Sequence, residues 1–141
     1  MADYLFTYPS VSESEELMMD DLTSALAEHD LPDHLCQSVM LAVSEAFTNA
    51  LTHGNQYDPD KEIEIGLSVN EIHVVADIKD QGNGGLSRVA AHRPPGPLAE
   101  SGRGISLIRH YADQVELAET PTGGLHVHIE FEIKKTQVSS S

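Results

Sequence analysis

Hydrophobic residues recur at helical spacing most regularly between about residues 34 and 54. Apolar positions at i, i+3, i+4 and i+7 build one continuous face, which is typical of a helix packed on a core. That face consists of Leu35, Val39, Ala42, Val43, Ala46, Phe47, Ala50 and Leu51. Asp33 is a suitable N-cap and Gly54 a suitable terminator. The pattern therefore predicts a long helix with one buried face.

Shorter patterns predict the remaining elements. Helical spacing indicates two further helices. The first lies at about 14–29, with Ser12 or Ser14 as its N-cap, and the second lies at about 104–112. Alternating apolar and polar residues indicate five strands, at about 4–8, 61–69, 72–80, 114–118 and 124–134. This order predicts an α+β fold, a two-layer sandwich with the helices on one face of a mixed, mostly antiparallel sheet.

Composition and charge narrow the class of protein. A chain of 141 residues is typical of a single domain, and we expect an ordered core at about 12–135 with a short flexible tail at 136–141. The net charge is −15, and residues 1–60 contain no Lys or Arg. Such a surface disfavours direct binding to nucleic acid or anionic membrane. With no basic leader and no long apolar run, we expect a cytoplasmic protein.

The long predicted helix carries a polar stripe as well as an apolar face. Glu45, Asn49 and His53 are spaced i, i+4 and i+8, so they lie on one side of a regular helix. An amide oxygen suits Mg²⁺ together with phosphates and water. A neighbouring carboxylate can act as a general base. Taken alone, such a stripe more often forms a solvated helix face.

Two glycine-rich segments follow predicted elements at positions suited to a ligand. The first, Asp80–Gly84 (DQGNG), comes directly after a strand, where glycine lets the backbone approach a ligand closely. The second, Ser101–Ile105 (SGRGI), precedes a helix, whose N-terminal N–H groups can bind phosphate. Each segment by itself is also typical of an ordinary turn or a loop-to-helix junction.

Taken in order, the three segments resemble the motifs of the GHKL, or histidine-kinase-like, ATPases with the Bergerat nucleotide-binding fold. Ser44–Asn55 (SEAFTNALTHGN) is similar to the family's N box. Asp80–Gly84 and Ser101–Ile108 (SGRGISLI) are similar to its first and second glycine boxes. The stretch between the glycine boxes resembles the lid that closes over ATP. The resemblance covers roughly residues 12–135.

The resemblance implies a role for each matching residue at the adenine and metal ends of the nucleotide. Asp80 would accept a hydrogen bond from the adenine amine, while Gly82 and Gly84 would shape the adenine side of the pocket. Asn49 would bind the Mg²⁺ that bridges the phosphates. ATP and Mg²⁺ are therefore the implied cofactors.

The resemblance also implies roles around the phosphates. Gly102, Arg103 and Gly104 would present backbone to the phosphate oxygens. Glu45 would be the general base, one helical turn before the metal ligand. His53 would line the far end of the pocket or brace the lid rather than take part in catalysis.

A chain of this length with the N box EAFTNALTHG resembles the anti-sigma-factor serine/threonine kinases of bacterial partner switching. The resemblance implies binding to a sigma factor, phosphorylation of a serine on a small antagonist protein, and a homodimer. Two alternatives stay open, a non-catalytic ATP-gated binding protein of the same fold and an acidic interaction protein with a degenerate pocket.

Two positions depart from the pattern of these kinases. Glu100 stands where many of them have an Arg that reaches the γ-phosphate; Arg103, Arg93 or Arg88 are the candidate substitutes. Residues 123–125 read Gly-Gly-Leu where the closing strand often carries Gly-Gly-Thr. These departures bear on catalysis and affinity more than on the fold.

A histidine pair lies outside the three motifs. His126 and His128 alternate on a predicted strand, so both lie on one face of the sheet. Such spacing suits a metal, but no third ligand is near in the sequence. We therefore expect a surface pair.

Overall fold

The computed structural model describes residues 2–87 and 100–134, with side chains in the second range described from Ile105 onward. The elements follow the order β-α-α-β-β-α-β-β. They are β1 (Ala2–Pro9), α1 (Ser14–Ala27), α2 (Asp33–Asn49) continued by a π-helical turn (Ala50–Gly54), β2 (Glu62–Val69), β3 (His73–Lys79), α3 (Glu100–Tyr111), β4 (Gln114–Glu119) and β5 (Leu125–Glu132).

The five strands form one sheet in the order β1-β2-β3-β5-β4, with β1 and β4 at its edges. Every neighbouring pair is antiparallel. Because β5 lies between β3 and β4, the start of β5 is brought beside the end of β3. The predicted α+β two-layer sandwich is confirmed, with a sheet that is antiparallel throughout.

The core lies between one face of the sheet and the helices. Alternate strand residues point into it, as the regular alternation of burial along β2, β3 and β5 shows. Its largest fully buried side chains include Phe47 on α2 and Phe131 on β5. Burying a side chain of this size stabilises a fold by about 1.5–3 kcal/mol. The other face of the sheet carries mostly polar residues. Among the described residues, no helix combines the length and apolar character needed to cross a membrane.

The second helix differs from its prediction at its C-terminal end. Regular α-helix ends at Asn49, and Ala50–Gly54 form a π-helical turn. The N–H of Asn55 donates to the carbonyl of Ala50 over 2.7 Å, the i to i+5 bond of a π-helix. His53 therefore lies in the π-helical turn rather than on the regular helix that carries Glu45 and Asn49.

The predicted helix starts also need correction. The N-cap position of α1 is Glu13 and makes no side-chain capping bond, while the Ser14 hydroxyl donates to the carbonyl of Pro9. Asp33 is the first residue of α2 rather than its cap, a position that Pro32 holds. The third helix begins at Glu100, about four residues earlier than predicted, and its first turns contain the second glycine box.

Candidate functional site

Asp80 is a carboxylate buried at the end of β3, on the side of the sheet that faces the helices. Only 4% of its surface is exposed. Its Oδ1 accepts hydrogen bonds from the N–H of Gly82 (2.9 Å) and of Leu125 (3.1 Å), and its own N–H donates to the carbonyl of Leu125. Asp80 is therefore positioned by the pairing of β3 with β5 and by the turn that follows β3.

Two glycines enclose this carboxylate. A Cβ built on Gly54, at the end of the π-helical turn, would lie 2.2 Å from Asp80 Oδ2. A Cβ on Gly124, just before β5, would lie 2.1 Å from the carbonyl oxygen of Asp80 and 2.8 Å from Oδ1. Side chains at either position would displace the carboxylate. Local sequence pattern did not reveal this role, since it predicted only a helix terminator at Gly54 and the start of the closing strand at Gly124.

The first glycine box turns sharply after Asp80. The bond from the N–H of Gly82 to Asp80 Oδ1 closes an Asx turn. Gly84 has φ of +61°, a left-handed conformation that costs other residues about 1–2 kcal/mol. A Cβ built on Gly85 would lie 2.6 Å from the carbonyl oxygen of Gly124, so Gly85 packs directly against that carbonyl. Glycine is therefore required here both for conformation and for close approach.

The structure places the predicted stripe residues along the axis that leads away from Asp80. Glu45 and Asn49 lie on α2 and His53 in the π-helical turn, and all three are half-buried. At about 1.5 Å per residue, Asn49 lies roughly 7 Å and Glu45 roughly 13 Å along the helix from Gly54. The order from the buried carboxylate outward is therefore Asp80, Asn49, Glu45. An amide oxygen at Asn49 could hold Mg²⁺ in company with phosphates.

The second glycine box lies in the first turns of α3. The N–H groups of the first four residues of a helix have no partner within it, and these include Gly102 and Arg103. Gly104 follows in the next position. Buried Ile105 and Ile108 anchor α3 in the core beside α2. The predicted lid, with Arg88 and Arg93, lies outside the described residues.

Asn55 is a buried polar residue whose role the sequence did not reveal. Its Nδ2 donates to Ser10 Oγ (2.7 Å) and to the carbonyl of Glu62 (3.0 Å), and its Oδ1 accepts from the N–H of Gln81 (2.7 Å). The side chain thus joins the ends of β1, β2 and β3. It fixes the backbone next to Asp80, although nothing in its type or spacing indicates this.

Comparison with known proteins identifies the family. The sequence profile described as "Histidine kinase-like ATPase domain" matches residues 9–131. An anti-sigma F factor of Bacillus cytotoxicus is 25% identical over 126 residues, 86% of each chain. An anti-sigma F factor of Oceanobacillus iheyensis is 26% identical over 135 residues, 92% of each chain.

Solved structures share the fold. The crystal structure of the RsbU and RsbW domains of Rv1364c from Mycobacterium tuberculosis superposes with a TM-score of 0.69 at 15% identity, covering 93% of this chain and 32% of that one. A blue-light activated histidine kinase from Erythrobacter litoralis gives a TM-score of 0.56 at 21% identity, covering 74% of this chain and 47% of that one. With its profile match spanning most of the sequence, the chain belongs to the histidine kinase-like ATPase domain family.

Proposed function

We propose that this protein is an ATP-binding anti-sigma-factor serine/threonine kinase that binds a sigma factor and phosphorylates a serine on a small antagonist protein. The observation that carries the proposal is the buried Asp80 between Gly54 and Gly124, at the foot of the helix bearing Asn49 and Glu45. Membership of the ATPase family supports nucleotide binding. Relatives named anti-sigma F factor support the regulatory role.

Recognition of adenine follows from the surroundings of Asp80. Its carboxylate is held rigidly by two backbone N–H groups and shielded from water. A hydrogen bond from an exocyclic amine to such a buried acceptor is favourable because little water competes for it. Guanine presents a carbonyl at the position where adenine has its amine, and a carbonyl facing this carboxylate would be repelled. The proposed site therefore prefers ATP to GTP.

The phosphates would lie along α2 toward the first turn of α3. Asn49 would hold Mg²⁺, which supplies charge neutralisation at the phosphates. Gly102, Arg103 and Gly104 would offer backbone N–H groups, and His53 would support the pocket from the π-helical turn. Glu45 would accept the proton of the attacking serine hydroxyl. Each role matches the order of these residues along the helices.

One observation favours a second candidate function. Glu100, the first residue of α3, stands where related kinases carry an Arg for the γ-phosphate. An acidic residue there would not stabilise the charge of the transferring phosphoryl group. The alternative is a protein that binds its partner under the control of ATP without transferring phosphate.

The first experiment measures thermal stabilisation by ATP, ADP and GTP with and without Mg²⁺. Binding to the folded state raises the melting temperature by mass action. ATP and ADP should stabilise the wild type, and GTP should not. Asp80→Asn should lose the effect because its amide group opposes the adenine amine, whereas Asp20→Asn on the exposed face of α1 should keep it. Equal stabilisation of wild type and Asp80→Asn by ATP would remove the basis of the proposal.

The second experiment separates kinase from non-catalytic binder. Labelled ATP is incubated with the protein and with small serine-bearing proteins of the proposed antagonist class. Glu45→Ala should still bind ATP but transfer at least 100-fold less phosphate, a typical loss for a missing general base of about 10²–10⁴. Glu16→Ala, an exposed position on α1, is the matched control. ATP binding without phosphotransfer by the wild type would favour the alternative.

A further inference from the structure

Two histidines and an aspartate meet on the face of the sheet opposite the helices. His126 and His128 alternate along β5, and Asp77 on β3 pairs directly opposite His128. One oxygen, Asp77 Oδ1, lies 2.7 Å from His126 Nε2 and 2.6 Å from His128 Nδ1. One ligand-type atom from each residue lies within 4.8 Å of those of the other two. The three side chains thus converge on one point that solvent can reach.

This cluster corrects the expectation of a histidine pair without a third ligand. Asp77 precedes His126 by 49 positions, so sequence proximity could not reveal it. The register of β3 against β5 brings it opposite His128. The pair therefore becomes a set of two imidazoles and one carboxylate.

A second carboxylate orients one of the rings. His128 Nε2 lies 2.8 Å from Glu130 Oε2, so both of its nitrogens face carboxylate oxygens. A carboxylate behind a ligating histidine is the usual arrangement that fixes the ring of a metal ligand.

Two neighbouring positions on this face add little bulk beside the cluster. Gly66 on β2 pairs with Asp77, and a Cβ there would meet its nearest neighbour, the Cβ of Asp77, only at 4.0 Å. Lys79, which pairs with His126, extends toward β2, with its Nζ 4.0 Å from Glu64. Gly66 thus adds no side chain beside Asp77, and the Lys79 ammonium lies near Glu64.

We propose that Asp77, His126 and His128 bind one divalent transition-metal ion of the zinc class. Imidazole and carboxylate ligands suit Zn²⁺, whereas Mg²⁺ and Ca²⁺ prefer sites built from oxygen alone. Bonds of about 2.0–2.2 Å in a tetrahedron separate ligand atoms by roughly 3.3 Å. The N···O distances from Asp77 to the two histidines, now 2.7 and 2.6 Å, would therefore lengthen slightly when the ion binds, and small rotations of the side chains can provide this change. Three protein ligands leave a fourth position for water.

The site is independent of the proposed nucleotide site. Asp77 lies on β3 and Asp80 directly follows that strand, but half-buried Asp77 is on the face opposite the helices and buried Asp80 is on the side that faces them. An ion held by Asp77 and the two histidines would link β3 to β5. The inference stands on this geometry and does not depend on ATP binding.

The test uses tag-free, nucleotide-free protein and Zn²⁺ alone as the probe. Competition against a chromophoric chelator should show one Zn²⁺ per chain, and a 100-fold excess of Mg²⁺ should not displace it. Asp77→Asn, His126→Gln and His128→Gln should each weaken binding at least tenfold. Glu130→Gln, which leaves all three ligands in place, should weaken it by about 10–100-fold. His73→Gln, on the same face but at the other end of β3, is the matched control and should bind like the wild type.

Substitution with Co²⁺ gives a readout that does not depend on stability of the variants. The wild type should show the visible absorption of a tetrahedral site with nitrogen and oxygen ligands, and His128→Gln should lose it. Absence of stoichiometric Zn²⁺ binding by the wild type would overturn the proposal. So would equal Zn²⁺ affinity in wild type, His126→Gln and His128→Gln.

Discussion

Replacing Gly54 by Ala tests whether the Asp80 carboxylate is as confined as the structure indicates. Gly54 lacks a left-handed φ, so alanine suits its backbone and the perturbation is purely steric. The new Cβ would lie 2.2 Å from Oδ2 and 2.5 Å from Cγ of Asp80. On its other side the carboxylate already packs on Gly124. The carboxylate can therefore escape the methyl group only by leaving its position.

The expected cost follows from what that movement breaks. Overpacking a filled site costs about 1–3 kcal/mol. Losing one of the two backbone hydrogen bonds at Oδ1 adds about 1.5–3 kcal/mol, because the acceptor is charged. The higher helix propensity of alanine stabilises the fold by up to about 1 kcal/mol relative to glycine and offsets part of this cost. These contributions sum to about 1.5–6 kcal/mol. Because movement of the carboxylate relieves part of the overpacking, the two costs do not add in full, and we expect Gly54→Ala to reduce the free energy of unfolding by about 2–4 kcal/mol.

A double-mutant cycle tests whether this cost comes from the clash with Asp80. The free energy of unfolding in urea is compared for the wild type, Gly54→Ala, Asp80→Ala and the double variant. In the Asp80→Ala background the two closest atoms are gone and the Cβ of residue 80, at 3.0 Å, becomes the nearest atom, so Gly54→Ala should cost under about 1 kcal/mol. Gly66→Ala is the matched control, since its methyl group would meet nothing closer than 4.0 Å. That change should stay within about 0.5 kcal/mol of the wild type or stabilise it slightly. Gly54→Ala should also abolish stabilisation by ATP.

Two results would refute the reasoning. A loss below about 0.5 kcal/mol for Gly54→Ala would mean that the carboxylate is not confined. An equal loss with and without the Asp80 side chain would place the clash elsewhere. A coupling energy of about 1–3 kcal/mol between the two positions is the expected outcome.

Three further predictions concern stability. Asn55→Ala should cost about 2–4 kcal/mol in urea unfolding, because three partners at the ends of β1, β2 and β3 lose their hydrogen bonds to a buried side chain. Gly84→Ala should cost about 1–2 kcal/mol, since φ is +61° there. Burial is the main cause that raises the pKa of Tyr8 above its ordinary value of 10.0, and the hydrogen bond to Asp21 is the second. The protonated Tyr8 hydroxyl therefore stabilises the fold fully below about pH 10, and this stabilisation is lost as the pH rises further. The stability difference between wild type and Tyr8→Phe should therefore be constant at pH 7–9 and shrink above pH 10; no change up to pH 11 would contradict the assigned shift.

Local pattern was sufficient for most of the fold. The helical face of α2 and the alternation along β2, β3 and β5 reappear in the burial of the structure. Asp80 could be singled out because it is a polar residue that ends an apolar strand and directly precedes a glycine-rich turn. These features were predictable since they depend on residues close together in the sequence.

Features that depend on contacts across the sheet could not be predicted in the same way. Asp77 is an ordinary polar residue of an alternating strand until the register places it opposite His128. Asn55 resembles any polar residue after a helix, yet it ties three strand ends together. Helical periodicity also cannot distinguish the final α-helical turn from the π-helical turn at Ala50–Gly54, because the two patterns diverge by less than one residue over that length.

The π-helical turn has a consequence for how the site is assembled. A regular α-helix through residue 54 would place Gly54 at a different angle about the helix axis, and the close approach to Asp80 depends on that angle. Thr52 donates its hydroxyl proton to the carbonyl of Thr48 (2.8 Å), which helps to satisfy the backbone where the α-helical pattern ends. The same local distortion thus brings the end of the helix against the Asp80 carboxylate.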